Sequence, residues 1–81
     1  MDELLNRITV VPGLCGGKPT IRKKRMTVTT ILGHLSAGDS FTDILEDFPF
    51  LEKDDLYACL LYAAELSEMY PVSSDVLLRG I

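Results

Sequence analysis

Residues 15–28 organise this chain, and they read Cys15-Gly16-Gly17-Lys18-Pro19-Thr20-Ile21-Arg22-Lys23-Lys24-Arg25-Met26-Thr27-Val28. A diglycine and a proline mark a loop at the start of this stretch, and β-branched residues favour extended structure around its cations. We expect strands at residues 20–22 and 25–28, with Lys23 and Lys24 at the tip of a hairpin. Neither lysine favours the positive φ that a two-residue hairpin turn usually requires.

A further strand is predicted upstream of this stretch. Residues 7–11 read Arg-Ile-Thr-Val-Val, and Pro12 followed by Gly13 ends the run. Residues 1–6 are expected to form a helical turn or to fray. Together these segments predict a sheet of two or three short strands, which is too small to be stable without helices or a second chain.

The sequence after the hairpin predicts three helices. The first has apolar residues at i, i+3, i+4 and i+7 and ends at Gly38. Its apolar residues are Val28, Ile31, Leu32 and Leu35. The second helix begins with a capping box formed by Ser40 and Asp43, and Pro49 ends it.

The third helix is predicted from about Glu52 to Tyr70. Its first turn is acidic, and Leu51 and Leu56 have the spacing of a hydrophobic staple. Residues 57–64 are apolar on every face of the helix, which is typical of a helix buried on all sides. A domain this small cannot surround such a helix, so we expect a second chain to cover the remaining face, and we expect a homodimer.

The predicted fold is a single α+β domain, mainly α, spanning residues 1–81. It has a β region with the basic hairpin at residues 8–28 and a three-helix core at residues 28–70. Residues 71–81 form a tail. The last two helices have the proportions of a helix-turn-helix.

Charge is distributed unevenly along the chain. The net charge is −4, but residues 1–35 carry six cations and two acids, whereas residues 36–81 carry two cations and ten acids. An acidic chain argues against nucleic acid as a partner, and a separate basic segment reopens that possibility. The same separation suits docking onto a basic protein.

Several classes of protein are excluded by composition. Two distant cysteines and one histidine cannot build a zinc site, and no nucleophile–base pair can be assembled, so we expect neither an enzyme nor a cofactor. Residues 1–6 lack the cations of a signal peptide, and no apolar run approaches the ~18 residues of a membrane span. Reduced cysteines and a cytoplasmic location are therefore expected.

The basic stretch supplies the candidate DNA-binding residues, which are Lys18, Arg22, Lys23, Lys24 and Arg25. Cations at a hairpin tip could neutralise about four phosphates and give salt-dependent binding. The alternative is a solvated tip that only keeps the protein soluble. Base reading by the third helix is disfavoured, because Glu52, Asp54 and Asp55 at its start are opposed only by Lys53.

The acidic half and the tail supply the candidate partner-binding residues, which are Tyr62, Tyr70, Val72, Val76, Leu77 and Leu78. Apolar residues beyond the last helix either dock on the domain or bind a partner. An acidic surface of this kind could mimic nucleic acid and fill a basic nuclease cleft.

The stretch at residues 15–28 resembles the signature of a bacterial family labelled domain of unknown function 433. Further segments resemble that family in the same order, at residues 35–40, 44–49, 55–58 and 62–65. The resemblance covers about residues 8–66. This chain has Lys23 and Lys24 where the family usually has Gly-Thr, and Glu52 and Lys53 where it usually has Thr-Pro.

The resemblance implies an antitoxin-like protein of the VapB type with a homeodomain-like helix-turn-helix core. It also implies a PIN-like nuclease toxin as the partner and autoregulation of the operon. Two other functions remain open, namely a DNA-binding regulator without a toxin and a dimeric interaction scaffold. No small-molecule substrate and no membrane are expected.

Overall fold

The computed structural model describes residues 2–69, and it contains four helices and two strands in that range. The helices are α1 (Asp2–Leu5), α2 (Val28–Ser36), α3 (Phe41–Asp47) and α4 (Lys53–Met69), and the strands are β1 (Ile8–Thr9) and β2 (Thr20–Ile21). A single 3₁₀ turn at Cys15–Gly17 lies between the strands. The expected small α+β domain, mainly helical, is confirmed, whereas the predicted tail lies outside the described residues.

The sheet has two strands in the described part of the chain. β1 and β2 pair antiparallel, with Ile8 opposite Ile21 and Thr9 opposite Thr20. The predicted third strand at residues 25–28 is wrong, because only an isolated bridge joins Thr27 to Thr20. The extended segment ends there, because Thr27 is the N-cap of α2 and its side chain accepts a hydrogen bond from the Thr30 N–H.

A short hairpin nevertheless joins β2 to the bridge residue Thr27, and its tip lies one residue earlier than predicted. Positive φ angles occur at Arg22 (46°) and Lys23 (59°), and the Lys24 N–H donates to the Ile21 carbonyl at 2.8 Å. Two central residues with positive φ are the feature of a type I′ turn. The turn therefore forms without glycine. Its two residues with positive φ cost conformational energy, because a side chain disfavours that backbone region.

The ends of α2 and α3 follow the sequence signals. Gly38 has a φ of +97°, and the Asp39 N–H donates to the His34 carbonyl at 3.1 Å, as in a Schellman motif. At the next helix the Ser40 hydroxyl accepts from the Asp43 N–H, and the Asp43 carboxylate accepts from the Ser40 N–H. Both bonds of the predicted capping box are thus present.

One hydrophobic core joins the hairpin to all three long helices. Its buried members are Ile21, Met26, Val28, Ile31, Ile44, Leu51, Leu56 and Cys59. Leu51 and Leu56 are both buried, as expected of a hydrophobic staple around the start of α4. α1 packs against α4, so this short helix forms part of the body of the domain.

Candidate functional site

An ion-pair cluster connects the hairpin to the first turn of α4. Asp55 is fully buried, and its carboxylate accepts hydrogen bonds from Arg22 Nε at 3.0 Å and Nη2 at 2.7 Å. It also accepts from Arg7 Nη1 at 2.9 Å and from the Glu52 N–H at 2.7 Å. A buried carboxylate with this many donors is satisfied in its ionised form.

The pKa of Asp55 reflects two opposing effects. Burial favours the neutral acid and raises the pKa, but hydrogen bonds from Arg22, from the Glu52 N–H and from Arg7 outweigh it. The net result is a pKa below the ordinary value of an aspartic acid. The pKa of Arg22 is raised, chiefly by its hydrogen bond to the same carboxylate.

This cluster changes the interpretation of Arg22. Sequence reasoning placed it with the four other candidate DNA-binding residues, but its guanidinium holds Asp55 and also donates to the Phe50 carbonyl at 3.0 Å. Its positive charge is paired with Asp55 inside the domain. The remaining four, Lys18, Lys23, Lys24 and Arg25, have exposed side chains and stay predictions.

The acidic start of α4 is also better compensated than expected. The prediction that only Lys53 opposes its carboxylates is wrong, because Arg7 lies 2.6 Å from Glu52 and 3.8 Å from Asp54. Sequence spacing could not reveal this pairing, since Arg7 precedes Glu52 by 45 residues. The segment that leads into β1 brings Arg7 beside the start of α4.

The basic turn, defined as residues 22–25, lies beside an exposed aromatic ring. Phe50 is 43% exposed, and Lys24 Nζ lies 6.0 Å from the centroid of its ring. Because Arg22 donates a hydrogen bond to the Phe50 carbonyl, the turn has a defined position against the segment between α3 and α4. Lys23, Lys24 and Arg25 are presented to solvent from this position.

A second surface runs along the outward face of α4. We call it the outer stripe, and it consists of Tyr57, Leu60, Leu61 and Ala64, spaced at i, i+3, i+4 and i+7. Tyr57 is 43% exposed and Leu60 is 42% exposed. These exposures agree with the expectation that residues 57–64 carry more apolar surface than the domain can bury.

Charged residues border the outer stripe. Asp54, Glu65 and Glu68 are exposed and lie four or seven positions from Leu61, which puts them along one edge of the stripe. On the other edge, Lys53 Nζ lies 5.9 Å from the centroid of the Tyr57 ring. One side of this apolar surface is therefore acidic.

A third feature is an apolar groove on a different face of α4. It has a volume of about 470 Å³ and is lined by Leu5, Ile8, Val10, Tyr62, Glu65 and Leu66. Tyr62, predicted to bind a partner, lies here. The other predicted partner-binding residues, Tyr70, Val72, Val76, Leu77 and Leu78, lie outside the described residues.

Three findings on residues 2–69 concern metal ligands, membrane spans and the buried cysteine. Within residues 2–69, no group of histidine, cysteine and acidic side chains could hold a metal ion. No helix in this range is both long and apolar enough to cross a bilayer. Cys59 is buried in the core, and its pKa is raised to about 12 by burial and by the nearby Asp55 charge.

Comparison with known proteins identifies the family of this domain. The family model described as Protein of unknown function (DUF433) matches residues 8–63, which hold the sheet, α2, α3 and most of α4. The chain belongs to the DUF433 family. No curated protein matches it significantly.

A DUF433 protein from Anabaena variabilis ATCC 29413, solved in a crystal structure at 2.00 Å resolution, has a similar fold. The two chains share 33% sequence identity with a TM-score of 0.69. The match covers 86% of this chain but 65% of the Anabaena chain, so this protein spans less than two thirds of that relative.

The DUF433 region contains Arg22, Glu52 and Asp55 of the ion-pair cluster but not Arg7, and it contains the outer stripe except for Ala64. The groove extends past it, because Leu5, Glu65 and Leu66 lie outside residues 8–63.

Proposed function

We propose that this DUF433 protein is an antitoxin-like module that neutralises a PIN-like nuclease toxin by binding it through the outer stripe. The observation that carries the proposal is the exposed apolar face of α4, at Tyr57 and Leu60, beside a row of carboxylates. Exposed apolar residues at helical spacing are typical of a helix that docks against another protein.

The charges beside the outer stripe support a basic partner. Asp54, Glu65 and Glu68 complement a basic surface, and a nuclease cleft that holds nucleic acid is basic. Docking this edge across such a cleft would exclude the substrate by occupancy, with no chemistry on the antitoxin. This mechanism agrees with the excess of acids in residues 36–81.

The same charges disfavour a second copy as the occupant of the outer stripe. Two α4 helices packed face to face would bring acidic edges close together, and like charges in an interface lower affinity. The homodimer stays a prediction, and a dimer formed through another surface is compatible with this proposal.

Co-expression with the product of the neighbouring gene tests the proposed function. A complex should form and nuclease activity should fall, and Leu60→Asp should abolish both effects because it places a charge in the centre of the apolar face. Thr29→Asp is the matched control, since Thr29 is an exposed position on α2. Unchanged binding by Leu60→Asp, or no complex with the wild type, would contradict the proposal.

A second candidate function is operator binding through the basic turn. The specific observation in its favour is the Arg22–Asp55 pair, which fixes the turn so that Lys23, Lys24 and Arg25 project together. Preorganised cations lose little conformational entropy when they bind phosphates. This activity would support autoregulation, or a regulator that has no toxin.

A further inference from the structure

The groove begins where the face of α4 that packs on the core extends past the last core residue. Cys59, Tyr62 and Leu66 share one helix face at i, i+3 and i+7. Cys59 is fully buried and Tyr62 is half-buried, but Leu66 is 37% exposed. Leu66 therefore faces the same direction as core residues, but within residues 2–69 it is covered less completely than Cys59.

The walls of the groove define the chemistry of its occupant. α1 and β1 contribute Leu5 and Ile8, and the following residue Val10 is 61% exposed. Glu65 is the charged residue among the lining residues. The occupant should thus be a short apolar segment that carries one cation.

We propose that this groove is the docking site for residues 70–81 of the same chain. These residues read Tyr-Pro-Val-Ser-Ser-Asp-Val-Leu-Leu-Arg-Gly-Ile. Val76, Leu77 and Leu78 supply the apolar side chains, and Arg79 directly after them supplies the cation for Glu65. The match in chemistry is the first argument for this occupant.

The length of the segment is the second argument. It follows α4 four residues after Leu66, and Pro71 cannot continue a regular helix. Leu66 and Tyr62 are about 6 Å apart along the helix axis at ~1.5 Å per residue. Twelve residues span at most about 40 Å when extended, so the chain can reverse direction and lie along the groove.

Tethering favours this segment over the same segment of a second copy. A short linker gives an effective concentration in the millimolar range, far above the concentration of a second molecule in dilute solution. The proposal does not require the proposed function, because the apolar residues of the outer stripe lie on a different face of α4, although Glu65 borders both surfaces.

Methyl chemical shifts in the full-length protein test the docking. Leu77→Asp combined with Leu78→Asp should shift the methyl signals of Val10 and Leu66 and leave those of Leu60 unchanged. The matched control is Ser73→Asp with Ser74→Asp, which adds the same charge to the same segment at polar positions. Groove signals that respond equally to both double variants, or to neither, would overturn the proposal.

A charge exchange and a dilution series complete the test. Arg79→Glu or Glu65→Arg should each shift the groove signals towards those of the Leu77→Asp/Leu78→Asp variant, and the double exchange should restore the wild-type positions. The wild-type signals should not change on dilution. Loss of the docked signals on dilution would show that a second copy supplies the segment, and it would overturn the proposal.

Discussion

Arg22 binds both carboxylate oxygens of Asp55, with Nε and Nη2 at 3.0 Å and 2.7 Å, across 33 residues of sequence. This bidentate pair joins the tip of the hairpin to the first turn of α4. Arg7, the residue before β1, donates to the same carboxylate. Three separate segments are therefore held by one buried acid, and the position of the basic turn depends on it.

Removal of this acid should strongly destabilise the protein. We expect Asp55→Ala to lower the free energy of unfolding by about 3 kcal/mol, because two arginines lose their buried partner. Asp54→Ala is the control, since its side chain is 59% exposed and 3.8 Å from Arg7, and it should cost less than about 1 kcal/mol. Urea denaturation measures both values. Equal effects would show that the cluster contributes little.

The same carboxylate predicts an acid-dependent loss of stability. Its pKa in the folded protein is below the ordinary value of 3.8, so the unfolded chain takes up a proton first as the pH falls. The stabilisation by Asp55 is complete above this ordinary value and declines below it, through the lower pKa of the folded state. The stability difference between wild type and Asp55→Ala should be constant from pH 5 to 7 and shrink below about pH 4. A difference that stays constant at low pH would contradict the assignment.

Two glycines near the end of α2 should respond in opposite directions to alanine. Gly38 has a φ of +97°, so Gly38→Ala should destabilise the protein by about 1 kcal/mol. Gly33 lies inside α2 with no atoms near an added Cβ, so Gly33→Ala should stabilise by about 0.5–1 kcal/mol. Thermal unfolding of both variants measures the effects. The same sign for both would contradict the Schellman assignment.

The basic turn should determine the salt dependence of any operator binding. Lys23→Ala combined with Lys24→Ala should reduce the slope of log K against log salt by about 2, because each phosphate contact contributes about 0.9. Lys53→Ala is the control at an exposed lysine outside the turn. Fluorescence anisotropy at several salt concentrations measures the slope. An unchanged slope would remove the turn from the DNA interface.

Cys59 should be inert in the native protein. It is fully buried and its pKa is raised to about 12, so almost no thiolate is present at neutral pH. A thiol reagent at pH 8 should modify one cysteine in the folded protein, namely Cys15, and both in denaturant. Mass spectrometry counts the modified sites. Rapid native labelling of Cys59 would show that α4 separates readily from the core.

Local sequence signals predicted the helical half well. The apolar spacing of α2, the capping box at Ser40 and Asp43, and the stop at Gly38 depend on residues fewer than eight positions apart. Such interactions form within one helix or at its ends, so the sequence contains all the information they require. The staple at Leu51 and Leu56 belongs to the same class.

The candidate site was harder to predict, since its contacts connect distant segments. Arg22 belongs to a run of cations in the sequence, and no local pattern distinguishes it from Lys23. The exposed faces of α4 were predicted only as an apolar excess. Which residues are exposed depends on the way α1, β1 and the hairpin pack around the helix.

The sequence by itself determined the class of the fold, the three long helices, and an apolar surplus on α4 that suits a binding protein. Tertiary structure alone decided which cations pair with Asp55, where the turn lies, and how the exposed apolar residues of α4 divide between the outer stripe and the groove. The physical reason is that ion pairs and burial depend on distance in space. Asp55 selects Arg22 and Arg7 because the hairpin and β1 bring those two guanidinium groups within hydrogen-bonding distance.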